Sequence, residues 1–162
     1  MHKSNINIRM LNKIEHLSAS EQQLIMDAPI LVSTLVSGAD GDFSRDEIAQ
    51  AAKIIHIKTY SETRDVSGIY KTIDAYSEDT IDSLIAVLPE STLERTQYLT
   101  DLLKGLNDIF PKLEADFAHQ LHNSLKELAF YVSNAGDLGV GLRSEQEKEL
   151  AKLSFLNAPE VE

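Results

Sequence analysis

The chain contains no cysteine and no tryptophan among its 162 residues, and it has only four prolines. Without cysteine it forms no disulfides, no thiolate metal sites and no cysteine nucleophiles. Basic residues are also few, because 15 Lys and Arg stand against 26 Asp and Glu, for a formal net charge of -11. Binding to phosphate backbones requires clustered basic side chains, so we expect neither nucleic acid nor an anionic membrane surface as a partner.

Long apolar runs are absent as well, and no stretch approaches the roughly 20 residues that span a bilayer. Hydrophobic residues nevertheless make up 43% of the chain, which is enough for one packed core at this length. The first residues lack the apolar stretch and cleavage site of a secretory signal. We therefore expect a soluble, cytoplasmic protein with a single domain over residues 1–162 and no direct membrane insertion.

The apolar residues recur at helical spacing, and no segment alternates long enough to predict a strand. Ile48, Ala51, Ala52 and Ile55, for example, follow one another at i, i+3, i+4 and i+7. This pattern places them on one face of a helix. The sequence therefore predicts an all-α bundle of about seven to eight helices.

Several helix boundaries are marked by capping residues and prolines. Ser18 and Ser91 each precede a Glu by three residues, the spacing of a capping box. Pro89 is predicted to end a short helix over 78–88, and the last helix is predicted over about 145–156. Pro29 is predicted either to kink the second helix or to begin a new one.

The helix predicted from residue 112 to about 134 has one apolar face. Asp116, His119 and His122 have a spacing that can hold a metal ion, but His119 points almost opposite that face and His122 points to one side of it. We therefore predict that both histidines lie on an exposed polar surface. Phe130 and Tyr131 are predicted to belong to the core, and a partner-binding lip is the alternative.

A helix-loop-helix unit occurs twice, at 36–47 and at 132–147. Five of the seven glycines lie at these two junctions. Identical residues recur at offsets of 96 and 100: Val36, Ser37 and Ala39 match Val132, Ser133 and Ala135, and Ser44, Glu47 and Ala51 match Ser144, Glu147 and Ala151. The pattern predicts an internal duplication with two pseudo-symmetric repeats.

The first unit, with the core Ala-Asp-Gly-Asp-Phe-Ser-Arg-Asp-Glu over 39–47, resembles the tellurite-resistance TerB family. The resemblance covers residues 30–57 clearly and residues 127–156 moderately. It implies a TerB-like helical bundle with an approximate internal twofold, in which acidic residues of both loops bind a divalent cation. The resemblance also implies a role in a metal-stress, membrane-associated or phage-defence system.

The resemblance also implies which residues hold the cation. In the second unit the order Ala-Asp-Gly becomes Ala-Gly-Asp, so its acid lies one place later than the acid of the first unit. We expect calcium, with magnesium or zinc as alternatives, and no organic cofactor. The predicted ligands are Asp40, Asp42, Glu47, Asp137 and Glu147.

Every second residue from Asp40 to Asp46 carries a side-chain oxygen, which resembles the start of an EF-hand loop. The pattern then fails, because Arg45 replaces the required Gly and Ala51 replaces the bidentate Glu. A cation here therefore needs ligands from the second repeat. The alternative interpretation is structural, since Asp and Ser before a helix are ordinary caps and acids in its first turn complement the helix dipole.

The chain contains no phosphate loop, no nucleophile elbow and no zinc-protease helix. We therefore predict a non-enzymatic module that binds a divalent cation and a protein partner in a metal- or stress-response system. A metal-free helical adaptor is the first alternative. A small enzyme that uses paired carboxylates is the second.

Overall fold

The computed structural model describes residues 5–39, 43, 45–62, 64–135 and 145–159. In these ranges the chain is helical and contains no strand, so the all-α prediction is confirmed. Eight helices have seven residues or more, and a four-residue helix leads into a 3-10 turn at Phe110–Lys112. The helices are α1 Asn5–Ile14, α2 Ala19–Ser37, α3 Arg45–Ser61, α4 Arg64–Asp74, α5 Ser77–Val87, α6 Thr92–Lys104, α7 Leu106–Ile109, α8 Ala115–Ala135 and α9 Glu145–Ala151.

The predicted caps hold α2 and α6 at their first turns. The Ser18 hydroxyl accepts a hydrogen bond from the Glu21 backbone N–H at 3.2 Å, and the Glu21 carboxylate accepts one from the Ser18 N–H at 3.0 Å. The Ser91 hydroxyl likewise accepts from the Glu94 N–H at 3.3 Å. These bonds satisfy donors that the helix itself leaves unpaired.

Helix α2 is the centre of the bundle and packs against α8, α6, α3 and α9. Every residue from 28 to 37 is buried, which is typical of a helix that is covered on all sides. Pro29 lies inside this helix, which continues without a break to Ser37. The prediction that Pro29 begins a new helix is therefore wrong.

The apolar face of α8 lies in the same hydrophobic core. The apolar residues at helical spacing from 113 to 132 are all buried, and the first of them precedes α8: Leu113, Phe117, Leu121, Leu125, Leu128 and Val132. The core also contains Ile48, Ala51 and Ile55 of α3. The spacing of apolar residues therefore identified the buried faces of these two helices.

Three predictions about the second half of the chain are wrong. His122 is buried, with 4% of its surface exposed, because the segment after α9 folds over it, although His119 is exposed as predicted. Phe130 and Tyr131 are exposed by 55% and 52%, since no described helix covers that side of α8. The last helix ends at Ala151 rather than near residue 156, because the chain turns there to bury two leucines.

Candidate functional site

Of the five predicted metal ligands, Asp40, Asp42 and Asp137 lie outside the described residues. Glu47 is the third residue of α3 and Glu147 is the third residue of α9, and both are partly buried. Each carboxylate thus follows one of two acidic loops, which we define as the first acidic loop, residues 38–44, and the second acidic loop, residues 136–144.

Contacts between α3 and α8 give the relative direction of the two helices. The Lys58 Nζ is 3.4 Å from the Glu127 Oε2, and four residues later, just after the end of α3, the Glu62 carboxylate accepts a hydrogen bond from Ser124 at 2.7 Å. Moving forward along α3 therefore means moving backward along α8, so the helices are antiparallel. The start of α3 and the end of α8 consequently lie at the same end of this helix pair.

The first acidic loop is anchored on both sides by Arg95 of α6. This side chain is 7% exposed, and its guanidinium lies 4.8 Å from the centre of the Phe43 ring. It also donates to the Gly38 carbonyl at 3.4 Å and to the Glu90 carbonyl at 3.1 Å. Because arginine stays charged at neutral pH, this end of the bundle contains a buried cation of the protein itself.

Ser37, the last residue of α2, carries a buried polar atom at the same junction. Its side chain is 4% exposed, and its hydroxyl has no hydrogen-bond partner within the described part of the chain. Buried hydroxyls nearly always have a partner in folded proteins. The Ser37 oxygen is therefore a candidate contact for a ligand or water next to the first acidic loop.

A buried polar network joins α3, α4 and α8. Lys58 is 3% exposed and forms ion pairs with Glu62 and Glu127. The Tyr70 hydroxyl lies 2.8 Å from the Ser124 hydroxyl, which in turn donates to Glu62. Burial raises the pKa of the Tyr70 phenol far above its ordinary value, so this tyrosine stays protonated and holds three helices in one hydrogen-bonded arrangement.

Neither Lys58 nor Arg95 was predicted from the sequence as a site residue. A signal for Lys58 was present, since it follows Ile55 by three residues and Ala51 by seven and therefore lies on the core face of α3. A lysine at such a position must be paired when it is buried. Arg95 gave no comparable signal, because its contacts with the first acidic loop, to Gly38 and Phe43, join residues more than 50 positions apart.

The outer edge of this network is an exposed aromatic pair on α8. The rings of Phe130 and Tyr131 pack edge to face with 5.8 Å between their centres. The Lys58 ammonium lies 6.0 Å from the centre of the Tyr131 ring. Two half-exposed aromatic rings form a surface of the kind that protein partners contact, which agrees with the alternative of a partner-binding lip.

A groove of about 420 Å³ lies between α3 and the junction of α4 with α5. In it the His56 Nδ1 is 2.8 Å from the Asp74 Oδ2, and the His56 ring packs edge to face against Tyr60. A histidine held by a carboxylate can take part in acid-base chemistry. This groove is therefore the place where the enzymatic alternative can be tested.

Among the described residues, no group of three or more His, Asp or Glu side chains is arranged to hold a metal ion. None of the described helices has the length and apolar content needed to cross a membrane. No protein-family model, curated protein or solved structure matches the chain. Membership of the TerB family, inferred from residues 36–47, therefore stays a prediction.

Proposed function

We propose that this protein is a non-catalytic, TerB-like helical module that binds a divalent cation where its two acidic loops meet. The observation that carries the proposal is the antiparallel contact of α3 with α8. Lys58 and Glu62 meet Glu127 and Ser124 in reverse order, so the start of α3 and the end of α8 share one end of the helix pair. Each acidic loop is joined to one of these ends.

The packing of the four helices that flank the loops supports a duplicated unit. Helix α2 packs on α3 and α8 packs on α9, and the two pairs meet through α2 and α8. Helix α3 contacts α8, and α9 contacts α2. If α2 is exchanged with α8 and α3 with α9, the same set of helix contacts results. An approximate internal twofold requires this.

The chemistry of the side chains fits a hard cation. Glu47 and Glu147 supply carboxylates at the starts of α3 and α9, and three further aspartates belong to the loops. The unpaired Ser37 hydroxyl adds a neutral oxygen at the end of α2. Calcium and magnesium take oxygen ligands of these kinds, and the absence of cysteine removes the softer ligands that zinc prefers.

Calorimetric titration of the chelator-stripped protein with calcium, magnesium and zinc tests this proposal. We expect saturable binding to the wild type and its loss in the double variant Asp40→Asn, Glu47→Gln. The matched control is Asp101→Asn, Asp108→Asn, which removes the same charge from exposed positions on α6 and α7. Equal loss of binding in both variants would mean that only the net charge attracts the ion, and would contradict a loop site.

A metal-free adaptor is the second candidate, and Arg95 favours it. A buried guanidinium already lies beside Gly38 and Phe43, at the two ends of the first acidic loop. A cation of the protein can neutralise loop carboxylates as an ion would. If no metal binds at millimolar concentration, the acids cap helices, and the exposed pair Phe130 and Tyr131 becomes the surface to test for protein partners.

A further inference from the structure

The exposed aromatic pair of α8 belongs to a larger surface at the outer side of the contact between α8 and α3. The Lys58 ammonium lies 6.0 Å from the centre of the Tyr131 ring. Ile57, the residue before Lys58 on α3, is 52% exposed, and Phe130 is 55% exposed. We define the α3–α8 surface as Ile57, Glu127, Phe130 and Tyr131. Three half-exposed apolar side chains on two packed helices form a patch of the kind that marks an interaction site.

Lys58 lies beneath this surface and is shared by two carboxylates. Its ammonium forms ion pairs with Glu62, whose side chain is 11% exposed, and with Glu127, whose side chain is 60% exposed. One ammonium neutralises only one of two carboxylates, so this group of three side chains keeps one negative charge. The more buried carboxylate, that of Glu62, has the greater need of a close partner. The uncompensated negative charge is therefore that of Glu127, at the surface.

Glu127 lies next to both aromatic rings. It precedes Phe130 by three residues and Tyr131 by four, and side chains at these spacings are neighbours on a helix. Lys126, which is also exposed, precedes Phe130 by four residues and Tyr131 by five, so it lies on the side of Phe130. The side of α8 toward Tyr131 therefore combines a carboxylate with an aromatic ring.

This combination fits the guanidinium of an arginine. A guanidinium can pair with a carboxylate and also lie over an aromatic ring. Within the protein, Arg95 already makes the second kind of contact, 4.8 Å from the centre of the Phe43 ring. The formal net charge of -11 also attracts a basic partner over longer distances. The charge of the surface and the charge of the whole chain thus favour the same class of partner.

We propose that the α3–α8 surface binds an amphipathic helix of a partner protein that carries an arginine one turn from its apolar side chains. The arginine pairs with Glu127 and lies over the Tyr131 ring, and the apolar side chains contact Phe130 and Ile57. Helices that bind in this way place their anchors three or four residues apart, which matches the spacing of the three contact residues on α8. The inference does not depend on the cation site, and it gives the metal-free adaptor a defined class of partner.

Fluorescence anisotropy with a labelled amphipathic peptide tests the proposal on the full chain, in a chelating buffer so that cation binding does not contribute. The peptide has leucines on one helical face and arginines one turn from them. Its control has citrulline at each arginine position, which removes the charge but keeps the shape. We expect saturable binding of the arginine peptide and about tenfold weaker binding of the citrulline peptide. Glu127→Gln should weaken binding about fivefold and Phe130→Ala about tenfold.

A matched pair of double variants shows whether the surface itself binds the peptide. Glu127→Gln, Tyr131→Ala is compared with Glu94→Gln, Tyr98→Ala, because the latter residues are exposed on α6 at the same spacing. We expect only the first variant to lose binding. Equal losses would overturn the proposal, since only the net charge would then attract the peptide, and so would an absence of saturable binding to the wild type. Circular dichroism verifies folding, and if Tyr131→Ala does not fold, Glu127→Gln and Phe130→Ala make the same comparison.

A second copy of the chain is the other occupant that these variants can identify. Sedimentation velocity at increasing protein concentration gives the oligomeric state of the wild type and of Phe130→Ala. We expect both to be monomers. A wild-type dimer that Phe130→Ala dissociates would assign the surface to a second copy and would overturn the proposal.

Discussion

The guanidinium of Arg95 lies 4.8 Å from the ring centre of Phe43, and the same ring occupies the space next to Gly38 that a side chain there would need. The turn between α2 and α3 is therefore closed by two residues of the turn itself, Gly38 and Phe43, and by Arg95 from a distant part of the sequence. Gly38 itself has a φ of -95°, so its requirement for glycine is steric and does not come from backbone conformation.

Replacing Gly38 with alanine should destabilise the protein by about 1–3 kcal/mol, because the added methyl group overlaps the Phe43 ring. Urea unfolding followed by circular dichroism measures the change. In a Phe43→Ala background the same substitution should have little effect, since the overlap is gone. An equal cost in both backgrounds would show that Phe43 is not the cause.

Replacing Lys58 with methionine should lower the free energy of unfolding by about 3 kcal/mol. The aliphatic volume is kept, but Glu62 loses the partner that compensates its burial. Lys126→Met is the matched control, because Lys126 is exposed on α8 and its loss should change stability by less than about 0.5 kcal/mol. Urea unfolding compares the two variants.

The double variant Lys58→Met, Glu62→Gln tests the coupling within the network. It removes both charges, and the Gln side-chain oxygen can still accept the Ser124 hydrogen bond. We expect it to be more stable than Lys58→Met alone. If the second substitution adds a further loss of stability, the cost of the first is due to packing and not to an unpaired carboxylate.

Stability should decrease as the pH falls below 6.5, the ordinary pKa of histidine, because of His122. Burial, with smaller contributions from Lys126 and His119, lowers the pKa of His122, although the nearby backbone of Leu156 partly opposes this shift. The unfolded chain then takes up a proton at a higher pH than the folded one. The contribution of His122 to stability is fully present above pH 6.5. It declines as the pH falls toward the lowered pKa of the folded state, by at most about 1.4 kcal/mol per pH unit.

Urea unfolding at several pH values, repeated with His122→Gln, isolates this contribution. The difference between wild type and variant should shrink as the pH falls. A difference that stays constant with pH would mean that His122 does not titrate differently in the folded and unfolded states. His119→Gln is the control at an exposed position of the same helix.

The carboxyl of Glu21 should titrate with a pKa of about 2. Hydrogen bonds from Lys112, at 2.7 Å, and from the Ser18 backbone lower its pKa from the ordinary 4.5. Its contribution to stability is therefore present above pH 4.5 and is lost as the pH falls toward 2. NMR titration of the side-chain carboxyl measures the value, and Lys112→Met should move it back toward 4.5.

Local sequence patterns predicted much of the fold because local forces decide it. Ser18 and Ser91 cap α2 and α6 as expected, and α5 ends at Val87, immediately before Leu88 and Pro89. These features depend on residues within one or two turns of each other. The sequence also predicted the starts of α3 and α9, where Glu47 and Glu147 lie.

The candidate sites were predicted less completely, because the contacts that form them are distant in sequence. Lys58 and Glu127 are 69 residues apart, and Asn107 binds backbone atoms 48 and 50 residues away. His122 was expected to be exposed since its helix alone gives no reason to bury it. Its ring is covered by residues from outside α8, because Phe110 packs against it edge to face and the chain after α9 passes close to it.

The sequence by itself determined the helical class, the caps and the apolar faces, since hydrophobic periodicity and capping act over a few residues. The tertiary structure decided which polar residues are buried and what they contact. Lys58 forms ion pairs with two carboxylates. Arg95 contacts both ends of the first acidic loop, and Asn107 hydrogen-bonds the backbone of the C-terminal segment after α9. These outcomes follow from packing, because a buried charge or amide requires partners that only a neighbouring helix or a returning segment can provide.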